Sequence, residues 1–180
     1  MSADIRVVFP DEEYVGAYAS HGQSKTVFVI KSANRKKGMF HGAILKIKRG
    51  YEIEPEMMHE VPHVTPKLLY ECLGYDGNVQ YHCWVSERCI PLHRFAVLST
   101  SDKDACVLAA CRCIARAALC RLHLSDCHYY NFGVRITECA TEHEIVIIDP
   151  GSRGIAESVP TKGEVSNTMH KLWKWAKEEI

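Results

Sequence analysis

The stretch Leu122 to Gly151 constrains this chain more than any other. It reads LHLSDCHYYNFGVRI, then a polar patch TECATEHE, then IVIIDPG. Ile145 to Ile148 is short, wholly apolar and β-branched, the pattern of a buried strand, and it stops at Pro150-Gly151. The run after Asn131 reads as a second strand, so a polar turn joins the two. That hairpin is expected to place Asp126, Asn131 and Asp149 at one rim. Two carboxylates and an amide converging there suit a divalent metal and phosphate, because hard cations take oxygen ligands and phosphate charge must be neutralised.

The rest of the chain supplies further polar groups in a definite order. His21-Gly22-Gln23-Ser24-Lys25 is a small polar turn feeding the strand Thr26 to Ile30. Such a turn can cover phosphates with backbone N–H groups, with Ser24 and Lys25 adding side-chain contacts; an ordinary hairpin turn is the plainer reading. A basic tip, Lys31 to Gly38, leads to the strand Gly42 to Ile47, where Lys46 sits inside an apolar run. A lysine there is either a pairing group or an edge gatekeeper. Tyr51 to Val61 reads as a short helix with Pro55 in its first turn, and Glu54, Met57, Met58 and Val61 share one face. A glutamate on a buried face needs a cation; Lys46 is the candidate for Glu54, with Glu56 the alternative carboxylate and Lys48 the alternative lysine.

A strand entered near Leu68, a Gly74-Tyr75-Asp76-Gly77 turn and a strand Val79 to Val85 form the next expected hairpin. Beyond Leu92 the pattern turns helical. Ser101-Asp102 is expected to cap a core helix from Lys103 to Leu122, and a final helix runs from about Glu164, with Val165, Met169, Leu172, Trp173 and Ala176 on its apolar face.

Composition narrows the function classes. A chain of 180 residues, 47% hydrophobic and 24% charged, is expected to form one domain with a proper core. A formal net charge of zero gives no electrostatic case for nucleic acid or a membrane surface, and a monomer is expected. The opening MSADIRVVFPDEEY lacks the apolar core of a signal peptide, and no run approaches the roughly 20 apolar residues of a membrane helix. Nine cysteines without a CxxC pair read as small packing residues of a reducing compartment, the cytoplasm, rather than a disulfide framework or zinc site; Cys106, Cys113 and Cys120 share one helix face. Cys127-His128 has the residue types of a hydrolytic pair, but neighbours in sequence rarely face each other and no partner carboxylate is placed.

Taken in order, these parts resemble the protein kinase superfamily, whose pattern is an Asp, four residues, an Asn, a hairpin and Asp-Phe-Gly. Here the last motif is Asp149-Pro150-Gly151, and Leu124-Ser125 stand where His-Arg usually precedes the catalytic Asp. The likeness spans about residues 15 to 154. It implies an α+β, protein-kinase-like two-lobed fold: an antiparallel-sheet N-lobe over residues 1–88 and a reduced, mostly helical C-lobe over 89–180. In type it is similar to minimal forms such as small secreted effector kinases and viral kinase remnants. The looser motifs also resemble aminoglycoside phosphotransferases.

The resemblance implies phosphoryl transfer from ATP, with Mg²⁺, to a protein hydroxyl, serine or threonine ahead of tyrosine. Asp126 would be the catalytic base, and Asn131 and Asp149 the metal ligands. Lys46 would hold the α and β phosphates, kept in place by Glu54 or Glu56; Gly22, Gln23, Ser24 and Lys25 would cover the phosphates; backbone groups of Glu87 to Cys89 would take the adenine edge. With Ser125 in place of an arginine, activity is expected without activation-loop phosphorylation. The alternatives are a pseudokinase that binds nucleotide or scaffolds without turnover, and a small-molecule phosphotransferase.

Overall fold

A computed structural model of the chain describes residues 25–30, 40, 42–95, 100–124, 128–135, 144–150 and 154–178. The turn residues Gly22, Gln23 and Ser24, the basic tip and Asp126 lie outside the described residues. The described residues fall into two compact units.

The first unit comprises the described residues up to Pro55 together with Lys67–Arg88. Its strands β1 (Lys25–Val29), β2 (Ile44–Arg49), β3 (Leu68–Asp76) and β4 (Val79–Ser86) form an antiparallel sheet in the order β1-β2-β4-β3. Val27, Lys46 and Trp84 lie directly opposite one another across three strands. Opposed residues share a face, so the period-two alternation sorts the sheet. Lys25, Val27, Lys46, Lys48, His82 and Trp84 occupy one face. Phe28, Leu45, Ile47 and Val85 occupy the other, where Ile30, Phe40 and Ala43 complete an apolar cluster.

The β3–β4 hairpin differs from the sequence expectation. Gly74, Tyr75 and Asp76 are strand residues, paired with Tyr81, Gln80 and Val79, and the turn is Gly77-Asn78. Gly77 takes φ 58°, the left-handed conformation that tight two-residue hairpins require and glycine adopts freely. Continuing the ladder to Asp76 satisfies backbone groups that an earlier turn would have left unpaired.

Helix α1 (Glu54–Glu60) carries Pro55 in its first turn, where a missing N–H costs nothing. Glu54, Met57, Met58 and Val61 are all buried, the face set by three- and four-residue spacing.

The second unit comprises Glu56–Pro66 and the described residues from Cys89 onward. It contains β5 (Cys89–Pro91), α2 (Leu92–Phe95), α3 (Thr100–Leu119), a 3₁₀ turn at Tyr129–Asn131, β6 (Phe132–Arg135), β7 (Glu144–Ile147) and α4 (Lys162–Glu178). The small sheet has the order β5-β6-β7. Gly133 sits in the middle strand opposite Pro91 and Val146. A Cβ there would lie 2.7 Å from Ile148 Cγ2 and 3.0 Å from Cys89 Cβ. Gly133→Ala is therefore expected to destabilise the protein by about 1–3 kcal/mol through overpacking, read as a lower denaturation midpoint with an unchanged slope.

Arg135 fastens the segment after α1 to the same hairpin. Its guanidinium donates to the carbonyls of Pro62 (2.8 Å) and Thr65 (2.7 Å) and to the Glu144 carboxylate (2.8 Å). Ile147 N–H adds a bond to the Val64 carbonyl at 2.8 Å.

Helix α3 buries Val107, Ala110, Cys113, Ile114 and Ala117. Burial pushes the Cys113 thiol up to about 11, which keeps it an inert packing group. The helix begins at Thr100 and ends at Leu119, so Cys120 lies beyond it and the expected end at Leu122 is corrected. The stop is a two-bond cap: Leu122 N–H donates to the Ala117 carbonyl (3.0 Å) and Arg121 N–H to the Ala118 carbonyl (2.9 Å). Arg121 is the left-handed residue of this cap, at φ 62°. A side chain there costs about 1–2 kcal/mol, so Arg121→Gly is expected to raise stability by about 1 kcal/mol, measured as a higher melting temperature.

Helix α4 begins at Lys162, two residues before the expected start near Glu164, and opens with a reciprocal cap. Glu164 N–H donates to Thr161 Oγ1 (3.3 Å), and Thr161 N–H donates back to Glu164 Oε2 (2.7 Å). Leu172 is buried, but Trp173, expected in the core, is exposed, with Lys177 Nζ 5.2 Å from its ring centre. Among the described residues no helix is long and apolar enough to cross a membrane.

Candidate functional site

In the first unit the chemistry gathers on the polar face of the sheet. β2 is flanked by β1 and β4, so Lys46 lies in an interior strand and is only 7% exposed. A buried ammonium without a partner would cost several kcal/mol. Lys46 Nζ forms an ion pair with Glu54 Oε1, and Glu54 is itself 1% exposed. Of the two carboxylates considered for this role, Glu54 makes the pair and Glu56 is exposed. Lys25 Nζ lies 2.5 Å from the other oxygen, Glu54 Oε2. Two ammonium groups thus share one carboxylate.

Beside it, Lys48 Nζ pairs with Glu52 Oε2 at 2.6 Å. Burial raises the Glu52 carboxyl, but the Lys48 hydrogen bond, the charges of Lys25 and Lys48 and the Ile53 N–H outweigh it and hold the group below the usual carboxylate range. Glu52 N–H donates to His82 Nδ1 (3.0 Å), so the ring proton sits on Nε2, which faces Glu71 Oε1 at 2.8 Å. These bonds, with Tyr51 stacked on His82, fix the backbone immediately before Glu54.

At the other end of β4, Glu87 is tied twice to Lys67. Its N–H donates to the Lys67 carbonyl (2.9 Å), and its carboxylate accepts the Lys67 N–H (2.8 Å).

The second unit brings Asn131 and Asp149 together. Asn131 closes the 3₁₀ turn, with its N–H bonded to the His128 carbonyl at 3.0 Å, and is buried. Its carbonyl accepts both Ile148 N–H (2.8 Å) and Asp149 N–H (3.3 Å). The residue that precedes β6 is therefore locked to the residues that follow β7. The hairpin register, with Phe132 opposite Ile147, makes this unavoidable. These backbone bonds hold Asn131 and Asp149, an amide residue and a carboxylate residue, next to each other. Tyr129, two residues before Asn131, is buried, which pushes its phenol up to about 12 and keeps it uncharged. Cys89 lies in β5 opposite Arg135.

The sequence reading named Lys25, Lys46, Glu54, Asn131 and Asp149, but not the sharing of Glu54 by two lysines, nor Glu52, His82, Glu71 and Arg135 as supports. Lys25 and Lys46 are in phase on opposed strands, a signal that a register assignment would have exposed. Nothing in the sequence marks the bonds of Arg135 to the distant carbonyls of Pro62 and Thr65.

No protein-family model matches the chain, and no curated protein does. Solved structures do. WaaP in complex with acyl carrier protein superposes with a TM-score of 0.56 at 18% identity, over 89% of this chain and 70% of WaaP. The Rio2 kinase–ADP/Mg²⁺–phosphoaspartate complex from Chaetomium thermophilum superposes with a TM-score of 0.58 at 14% identity, over 98% of this chain. This chain spans 58% of that Rio2 kinase chain. At such identities the likeness speaks for architecture, and the architecture of this protein is a protein-kinase-like α+β fold.

Proposed function

We propose that the protein transfers a phosphoryl group from ATP to a protein hydroxyl, serine or threonine ahead of tyrosine, with 1–180 acting as one minimal kinase-like domain of two lobes, 1–88 and 89–180. The observation that carries this reading is the buried ion pair of Lys46 with Glu54. An interior-strand lysine is costly to bury, so its presence against a buried carboxylate favours a ligand that needs the charge.

In this reading Lys46 holds the α and β phosphates and Glu54 sets its direction. Lys25 shares that carboxylate and adds a second cation, while Gly22, Gln23 and Ser24 contribute from the preceding turn. Asn131 and Asp149 hold Mg²⁺, which when bound neutralises phosphate charge. Asp126 accepts the proton of the acceptor hydroxyl. Backbone groups of Glu87 to Cys89 take the adenine edge, other than the Glu87 N–H that already donates to Lys67. The ADP and Mg²⁺ bound by the Rio2 kinase support the choice of nucleotide and metal.

The test is turnover of ATP with Mg²⁺ on a protein mixture and, separately, on small alcohols. Phosphate appearing on protein hydroxyls is the expected result. Phosphate on small alcohols alone would make the protein a small-molecule phosphotransferase. Absence of turnover with a nucleotide-induced rise in melting temperature would make it a pseudokinase.

A further inference from the structure

The β3–β4 hairpin carries a feature that phosphoryl transfer does not use. Cys72 of β3 lies directly opposite Cys83 of β4. Opposed residues of an antiparallel pair have Cα atoms about 4.5–5.5 Å apart, inside the roughly 4.4–6.8 Å window of an unstrained disulfide. Their side chains share a face, and both thiols are free. The two differ in access: Cys72 is half-buried, whereas Cys83 is buried.

We propose that Cys72 and Cys83 form a hydroperoxide-sensing dithiol, in which Cys72 is the attacking thiol and Cys83 the resolving one. The Cys72 thiolate attacks the nearer oxygen of a hydroperoxide, the O–O bond breaks, and Cys72 becomes a sulfenic acid as the alcohol or water leaves. The Cys83 sulfur then attacks the sulfenic sulfur; the S–O bond breaks, the Cys83 proton leaves with the hydroxyl as water, and the disulfide forms. Two electrons pass from the thiol pair to the peroxide, which is reduced.

Electrostatics agree with this division of labour. The Cys83 thiol donates to Cys72 and, against burial and the Glu71 charge but with help from Tyr70, holds Cys72 down at about 7. The same bond and burial keep Cys83 protonated. Cys72 thus holds more thiolate at neutral pH than an ordinary cysteine, and the thiolate is the form that reacts. The opposed partner is already in place, so resolution needs no strand movement. The proposal rests on the thiol pair alone and is independent of the phosphotransfer reading.

The sequence offers a direct readout. Trypsin cuts after Lys67 and Arg88 and nowhere between, so both cysteines fall in one peptide, residues 68–88. After brief treatment of the full chain with stoichiometric hydrogen peroxide, that peptide is expected to lose two hydrogens and to resist alkylation until reduced. The rate should rise with a midpoint near pH 7. Cys83→Ser is expected to accumulate a sulfenic acid on Cys72 that a dimedone reagent traps, and Cys72→Ser to abolish the mass change. Because Cys83→Ser alters a buried position, the wild-type peptide mass and the Cys72→Ser variant carry the test by themselves. The proposal is overturned if residues 68–88 remain fully alkylatable while other cysteines oxidise, or if the rate follows an ordinary thiol midpoint above pH 8.

Discussion

Asp149→Ala is expected to lower phosphoryl transfer about a thousandfold while leaving the fold intact. The reason lies in how Asp149 is held. Its N–H bonds to the Asn131 carbonyl, an interaction of the backbone that survives removal of the carboxylate. The side chain is half-buried, so its truncation opens no core cavity. In the proposed function, what disappears is the anionic oxygen that would hold Mg²⁺, leaving the Asn131 amide, a neutral ligand too weak alone to hold Mg²⁺ on phosphate. The variant should show an unchanged far-ultraviolet circular dichroism spectrum and a melting temperature close to wild type. ATP binding should lose its dependence on Mg²⁺. Asp149→Asn, which keeps shape and loses charge, should resemble Asp149→Ala, showing that the charge is what matters.

Lys46→Met is the second large effect, and it acts on both activity and stability. Transfer is expected to fall about 10²–10³-fold, through a lower kcat and a higher KM for ATP, because the proposed function gives Lys46 the role of the cation on the phosphates. Removing one partner of a buried ion pair ordinarily costs about 3–5 kcal/mol, because the other charge is left uncompensated. Here Lys25 still faces Glu54, so the stability cost of Lys46→Met alone should stay below that range. Lys25→Met combined with Lys46→Met leaves the Glu54 carboxylate without either lysine, and this variant should reach it. A double-mutant cycle by chemical denaturation reads the difference; a coupling energy of about zero would show that the two lysines do not act on one carboxylate. Restoring stability in the double variant with Glu54→Gln, without restoring activity, is the expected companion result.

Much of this site was legible because burial and charge conflict there. Lys46 stands inside the apolar run Ala43 to Ile47, and Glu54 falls on the face of Met57 and Met58; each is costly alone and sensible as a pair. The Ile145 to Ile148 run was legible as a buried strand for the opposite reason: it contains no polar residue to place elsewhere. The element boundaries resisted. The α3 helix ends at Leu119 because Arg121 adopts a left-handed conformation that its side chain disfavours, so no glycine announces the stop. β5 is three residues long and contains Pro91, and proline argues against a strand; it pairs only because β6 offers a partner. Trp173 looked like core by periodicity, yet a long amphipathic ring is accommodated at the surface under Lys177. Part of what Arg135 and His82 bind is backbone, and no residue pattern reveals those bonds.

The most direct test of the account is to follow the γ-phosphate resonance of ATP by phosphorus NMR, with Mg²⁺ and a protein acceptor mixture, for wild type and Asp149→Ala side by side. The account predicts that the γ signal is lost with wild type, that a phosphoester signal grows in its place, and that both changes are absent with Asp149→Ala. Equal loss of the γ signal with both proteins, or none with wild type, would contradict it.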